Sequence, residues 1–137
     1  MKDYEFLVIG SNGMLGSKIV KILNERKIGY LTVARNNSNF NLNLKKFRNL
    51  KKLFLKNRFK IVINCAAIID INYCEKMFNE AAIINCKLVK FLSEISKKFN
   101  FKFVQISTDH VYKGKKLKLN NEKSKIFIGN KYAKTKI

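Results

Sequence analysis

The spacing of apolar residues changes period several times along this chain, and each change marks an element. Phe6-Leu7-Val8-Ile9 is an unbroken apolar run that predicts a buried strand over about Tyr4–Ile9. Beyond it, Leu15, Ile19, Ile22 and Leu23 recur at helical spacing with lysines and Glu25 on the other side, which predicts an amphipathic helix ending near Lys27 and Gly29. Tyr30–Ala34 reads as a second strand. Phe40–Leu44 alternates apolar residues with asparagine, as a short third strand does, and Phe47, Leu50 and Phe54 mark another helix. The β-branched run Lys60–Ala67 predicts a buried fourth strand. Ala81, Ile84, Leu88, Phe91, Ile95 and Phe99 share one stripe and predict a single long helix over about Asn79–Phe99, and Phe101–Ser107 predicts the next strand.

Strands that alternate with helices at this spacing imply an α/β chain with a parallel sheet covered on both faces, because parallel neighbours need a crossover of a dozen or more residues. The expected architecture is one doubly wound domain of about five strands in the order 3-2-1-4-5. No repeat and no interdomain linker interrupts it. Right-handed crossovers bring the carboxyl ends of the strands to one rim, where Gly10–Gly16, Ala34–Asn37, Asn64–Ala67 and Ser107–Tyr112 would lie together.

Composition changes this picture little. The chain carries 29 basic and 9 acidic residues, a formal charge of +20, which raises nucleic acid or an acidic membrane surface as a partner. The lysines are scattered over nearly every segment, and no zinc-finger spacing, RNA-binding aromatic motif or basic heptad accompanies them. With asparagine abundant and proline absent, the charge reads as a chain-wide bias, and a nucleic-acid surface is the less favoured interpretation. Cys65, Cys74 and Cys86 form no C-x-x-C pair, so neither a disulfide framework nor a thiolate metal site is expected, and a reducing compartment fits. Asp3 and Glu5 rule the amino terminus out as a signal peptide, and the longest apolar run, Ile61–Ile71, is broken by Asn64 and Asp70 and too short to cross a bilayer. The expectation is a soluble, cytoplasmic protein with no metal.

The chemistry begins at Gly10-x-x-Gly13-x-x-Gly16, which joins the first strand to the first helix. Backbone N–H groups and the positive end of a helix dipole point at an anion in such a turn, and glycine lets the ligand come close. A nucleotide phosphate is the expected guest, although glycine also serves any sharp strand-to-helix turn.

Three further local sequences complete a pattern: Asn64-Cys65-Ala66-Ala67, Ser107-Thr108-Asp109-His110-Val111-Tyr112, and Tyr132-Ala133-Lys134-Thr135-Lys136. Together with the glycine turn they resemble the extended short-chain dehydrogenase/reductase family, in its branch of nucleotide-sugar reductases related to dTDP-4-dehydrorhamnose reductase. The resemblance implies a Rossmann-like sheet and an NADP(H)-dependent reduction of a nucleotide-linked 4-keto-deoxy sugar. It implies Tyr132 as the acid, Lys136 as the cation that favours its phenolate and holds the nicotinamide ribose, and Thr108 as the hydroxyl on the substrate oxygen. Cofactor contacts are implied at Gly10, Asn12, Gly13, Met14, Leu15 and Gly16, at Cys65, Ala66 and Ala67 on the fourth strand's end, and at Asn85 on the long helix. Asn41-Leu42 stands where the family often has an acidic residue and Leu or Ile beneath the adenine.

Lys136 lies one helical turn beyond Tyr132, and a phenol with an ordinary pKa near 10 needs such a cation to work as an acid at neutral pH. In a second Tyr-x-x-x-Lys pair, Tyr112 and Lys116, the tyrosine is soon followed by Gly114 in a lysine-rich loop; Tyr132 opens a stretch of helix formers, so Tyr112 is expected to form a wall of the site. His110, the single histidine, reads as a wall residue before a general acid. Arg35 at the end of the second strand, where an acid would select NAD, favours NADP(H), with NAD(H) the alternative. The lysine-rich run 113–125 reads as a solvated loop, with a contact to the substrate diphosphate as the alternative.

The resemblance breaks at Ile128 and Ala133, where the family usually has proline and glycine. It also covers only the family's cofactor-binding part, so residues 1–137 are expected to be a C-terminally truncated member without the substrate-binding part, whose last helix frays unless it is tied down. A homodimer or a second polypeptide would then complete the pocket around the nucleotide-sugar substrate. Three other functions stay open: an NAD-dependent epimerase or dehydratase of the same family, a non-catalytic dinucleotide-binding or regulatory subunit, and a nucleic-acid binder.

Overall fold

Both edges of the first strand are hydrogen-bonded, and this fixes the middle of the sheet. In the computed structural model, which describes residues 1–114 and 119–137, β1 (Lys2–Ile9) pairs in parallel with β2 (Tyr30–Ala34) on one side and with β4 (Asn57–Asn64) on the other. The two-residue β3 (Phe40–Asn41) lies outside β2, and β5 (Lys102–Gln105) outside β4, giving the parallel order β3-β2-β1-β4-β5. This is the order expected from the sequence. The connections carry α1 (Met14–Glu25), a 3-10 stretch (Leu44–Asn49) running into α2 (Leu50–Lys56), and α3 (Ile71–Lys76) with α4 (Phe78–Ala82). A π-turn (Ile83–Lys87) leads into α5 (Leu88–Phe99), and α6 (Lys131–Lys136) follows the loop after β5.

Side chains alternate across a strand, so Leu7 and Ile9 face one side of the sheet and Val8 the other. Leu7, Ile9, Val33 and Val62 join Leu50, Leu53 and Phe54 of α2 and Leu88, Leu92 and Ile95 of α5 in one cluster, which places these two helices over that face. Val8 is fully buried on the opposite face, where α1 packs against β1. Phe54 lies at the centre of the aromatic contacts, stacked on Phe101 at 5.1 Å between centroids and set edge-on to Phe59 at 5.6 Å.

Several boundaries depart from the periodicity. β4 covers Asn57–Asn64 where Lys60–Ala67 was expected, since its pairing already starts at Lys2 opposite Asn57. At the other end, the Asn64 amide donates to Gln105 Oε1 at 2.8 Å while its Oδ1 accepts from the Ala66 N–H at 3.2 Å, turning the chain out of the strand. β5 likewise stops at Gln105, short of Ser107. The long helix expected over Asn79–Phe99 is interrupted by the π-turn, whose Asn85 side chain is drawn inward. Of the residues expected on the apolar stripe of α1, Leu23 is buried but Leu15 and Ile22 are exposed, and Gly16 is buried in addition. Among the described residues no helix is long and apolar enough to cross a membrane.

Truncating Phe54 removes the ring that joins α2 to Phe59 of β4 and to Phe101 just before β5. Phe54→Ala is expected to lower the unfolding free energy by about 3–5 kcal/mol in urea titration, whereas Lys51→Ala on the exposed side of the same helix should change it by less than about 0.5 kcal/mol.

Candidate active site

The turn leaving β1 is built by close approach of backbone to backbone. Gly10 has φ +80°, and a Cβ on it would sit 2.7 Å from the Ala66 nitrogen at the exit of β4. A Cβ on Gly16 would fall 2.2 Å from the Gly10 carbonyl oxygen, so α1 rests on the turn through a missing side chain. This contact sets the rotation of α1 and explains why Leu15 faces outward. Gly13 caps α1 in extended geometry with no side-chain hydrogen bond, and the first turn holds no acidic residue. Met14 and Leu15 open a 12-residue helix with exposed side chains, and neither a side-chain cap nor a first-turn carboxylate neutralises its positive end.

That end borders a cleft of about 460 Å³ at the carboxyl rim of the sheet. Gly10, Asn12 and Gly13 form one wall, Ala34, Arg35 and Leu42 another, and Cys65, Ala66, Ala67 and Ile68 a third. The Asn12 amide donates to the Asn36 carbonyl at 2.7 Å and so joins the glycine turn to the end of β2. Arg35 is exposed at the cleft. Asn41, expected beneath an adenine, instead accepts from the Ser38 N–H at 3.1 Å and the Ser38 hydroxyl at 2.9 Å, closing the turn before β3; Leu42 and Asn43 take the cleft wall. Lys45, also on the cleft, pairs with Glu80 of α4, which accepts a second hydrogen bond from the Tyr73 hydroxyl at 2.8 Å. These two donors hold the Glu80 carboxyl below the usual carboxylate range. Burial pushes the Cys65 thiol up, so this cysteine is a neutral wall residue at physiological pH. An uncapped helix, glycines that exclude a Cβ and a small-residue wall fit the diphosphate and adenosine of a dinucleotide. A larger groove of about 960 Å³ at the opposite rim, bordered by Tyr4, Phe54, Phe59 and Phe101, contains none of these residues.

The remaining chemistry lies where β5 ends. Thr108 accepts from the His110 N–H at 3.2 Å and caps a 3-10 turn over Asp109–Val111, against which α6 packs. The His110 ring stands edge-on to the Tyr132 ring, centroids 5.6 Å apart. Tyr132 is buried with Cys74 and Ala81, and among the described residues its hydroxyl has no hydrogen-bond partner. Lys136, half-buried, donates to the Ile106 carbonyl at 2.9 Å, and burial pulls its pKa below the usual 10.5.

α6 is tied down at both ends, the condition under which a terminal helix does not fray. Asn130 Oδ1 accepts from the Ala133 N–H at 2.7 Å, and the Lys131 backbone and ammonium donate to Glu75, each at 2.8 Å. Asn85, expected to touch the cofactor, is committed inside the protein: it accepts from the Ile68 N–H and donates to the Ile68 carbonyl, both at 2.8 Å, and donates to the Thr135 hydroxyl at 2.9 Å. Thr135 and the Ile106 carbonyl were not found in the sequence, since no local pattern links them to their partners. Tyr112 is extended and bridged to Ile126, and it lines a separate hollow with His110 and Phe127, so it begins no helical turn. Lys116 lies outside the described residues, as does part of the lysine-rich run 113–125.

The family model described as the RmlD substrate binding domain matches residues 4–137. The spore coat polysaccharide biosynthesis protein SpsK of Bacillus subtilis is 30% identical over 109 residues, which are 80% of this chain and 37% of that protein. The crystal structure of a hypothetical dTDP-4-dehydrorhamnose reductase from Sulfolobus tokodaii superposes with a TM-score of 0.86 at 30% identity, over 96% of this chain and 49% of that one. A dTDP-4-dehydrorhamnose reductase from Bacillus anthracis, crystallised in complex with NADP, superposes at 0.85 with 25% identity over 99% of this chain and 47% of its own. The chain thus spans about half the length of these solved relatives and less of SpsK. The glycine turn, the five-stranded order and the family match along residues 4–137 agree: the chain belongs to the RmlD substrate binding domain family of dTDP-4-dehydrorhamnose reductase-like sugar-nucleotide reductases.

Proposed function

We propose that this chain forms the dinucleotide-binding part of an NADP(H)-dependent reductase acting on a nucleotide-linked 4-keto-deoxy sugar. The observation that carries the reading is the uncapped start of α1 behind Gly10 and Gly16, opening on a cleft that ends in Arg35 at one side and in small residues after β4 at the other. The amides of the glycine turn would hold the pyrophosphate, the Arg35 guanidinium the 2′-phosphate, and Ala66 and Ala67 would leave room for the nucleotide above the end of the sheet. Bound NADPH would supply the hydride to the carbonyl carbon. Tyr132 gives its phenolic proton to the carbonyl oxygen as negative charge builds there, and the Thr108 hydroxyl donates a second hydrogen bond to the same oxygen. Lys136, one turn further along α6, stabilises the phenolate that remains, and its ammonium keeps two N–H groups beyond the one given to Ile106. The curated relatives act in polysaccharide and glycan biosynthesis by name, which supports a sugar substrate.

Fluorescence titration tests the cofactor: NADPH is expected to bind more tightly than NADH, and no binding of either would end the reading. Gly13→Asp, which puts a carboxylate at the anion site and a Cβ 3.3 Å from the Gly10 oxygen, is expected to abolish both. Arg35→Ala is expected to weaken NADPH about tenfold and leave NADH unchanged, the loss of one charge-assisted pair. In an assay of turnover, Tyr132→Phe should cost at least about a hundredfold in rate while NADPH affinity stays within about twofold.

The burial of Lys136 has a pH signature. Its folded pKa is lowered, so the cost of burying the ammonium is fully present below that pKa and disappears as pH rises towards 10.5. The stability of the parent chain relative to Lys136→Met is therefore expected to increase as pH rises through the lowered pKa towards the usual 10.5 in urea titrations.

A further inference from the structure

Thr135 is not among the reacting groups, yet it is only 1% exposed and its hydroxyl is used twice. Oγ1 donates to the Tyr132 carbonyl at 2.7 Å within α6 and accepts from the Asn85 amide at 2.9 Å. A hydroxyl bonded to a carbonyl one turn back is common in helices. Here the same oxygen also takes a bond from outside the helix. Asn85, 3% exposed, spends the rest of its amide on the N–H and C=O of Ile68. One hydroxyl and one amide thereby join three segments: the wall of the cleft after β4, the π-turn, and the helix that carries Tyr132 and Lys136.

α6 has six residues, too few to hold a helix by itself, so its place is set by its tertiary ties. The bonds from Lys131 go to Glu75, and that from Lys136 goes to Ile106. Among these hydrogen bonds, the one through Thr135 leads to the cleft wall, where Ile68 also packs against the cluster of Tyr132, Cys74 and Ala81. We infer that Thr135 is a positioning residue: through Asn85 its hydroxyl sets the rotation and height of α6 against Ile68, and so places the Tyr132 phenol and the Lys136 ammonium relative to the nicotinamide half of the cofactor. The consequence for the cofactor rests on the NADP(H) reading above; the consequence for the helix does not.

The test uses the whole chain, Thr135→Ser, which keeps the hydroxyl, and Thr135→Val and Thr135→Ala, which remove it. His110 is the single histidine, so nuclear Overhauser contacts from its ring to the Tyr132 ring report where α6 sits. Two ligands separate the halves of the cleft: NADPH reaches α6, and 2′,5′-ADP lacks the nicotinamide. Thr135→Ser is expected to keep the ring contact and both affinities within about twofold, whereas Thr135→Val and Thr135→Ala lose the contact, bind 2′,5′-ADP as the parent does and bind NADPH about tenfold more weakly. A merely stabilising hydroxyl would lower the melting temperature and leave the contact and the affinity ratio unchanged, and that result overturns the inference. Should one variant fail to fold, the other carries the comparison. If the parent chain binds neither nucleotide, the cofactor reading falls, and the ring contact alone decides the role of Thr135.

Discussion

The arrangement of this molecule depends on a steric vacancy. The Gly10 carbonyl occupies the space where a side chain on Gly16 would begin, and the Gly10 backbone leaves β1 at a positive φ beneath Ala66. Both contacts bring main chain against main chain at distances that no Cβ permits, and together they hold the start of α1 over the carboxyl rim of the sheet. The helix dipole gains a fixed direction relative to β2 and β4 from this arrangement. The cleft between them is accordingly a product of glycine packing, and its walls could be assembled from small and apolar residues with only Arg35 and Lys45 supplying charge.

Asparagine does much of the remaining organisation, which gives the compositional bias a structural use. Asn43 and Asn130 cap helical segments, Asn64 turns the chain out of β4, Asn41 closes the turn before β3, and Asn12 links two walls of the cleft. Asn39 accepts from both the N–H and the hydroxyl of Thr32 on β2. A short amide both donates and accepts, so it can take the place of a backbone group wherever a strand or helix stops. In Asn85 this ability is turned inward, and the helix widens into a π-turn to deliver it.

The parallel sheet, its order and the glycine turn were legible because they follow from alternation of periods and from one local motif. The Tyr132 helix was legible from the stretch of helix formers that Tyr132 opens. What escaped was set by distant partners. The apolar run from Ile61 to Ala67 hid the end of β4, since strand core and cleft wall ask for the same residue types. Nothing near residue 85 signals that its amide meets Ile68 and Thr135, and nothing near Leu15 signals that Gly16 dictates the roll of α1. Arg35 was placed at the cleft by its position after β2, while Asn41 was assigned there by analogy and serves its own turn.

The central position of β1 also governs the order in which the polypeptide can mature. The pairing with β4 runs from Lys2 with Asn57 to Ile9 with Asn64, so every residue of β1 waits for more than fifty further residues before its second edge is satisfied. Until β4 leaves the ribosome, Leu7, Val8 and Ile9 have only β2, reached through the α1 crossover, and solvent as neighbours, and the open edge invites chaperones or mispairing. Nucleation should therefore centre on the meeting of β1 and β4, with the cleft at the carboxyl rim appearing in the same event.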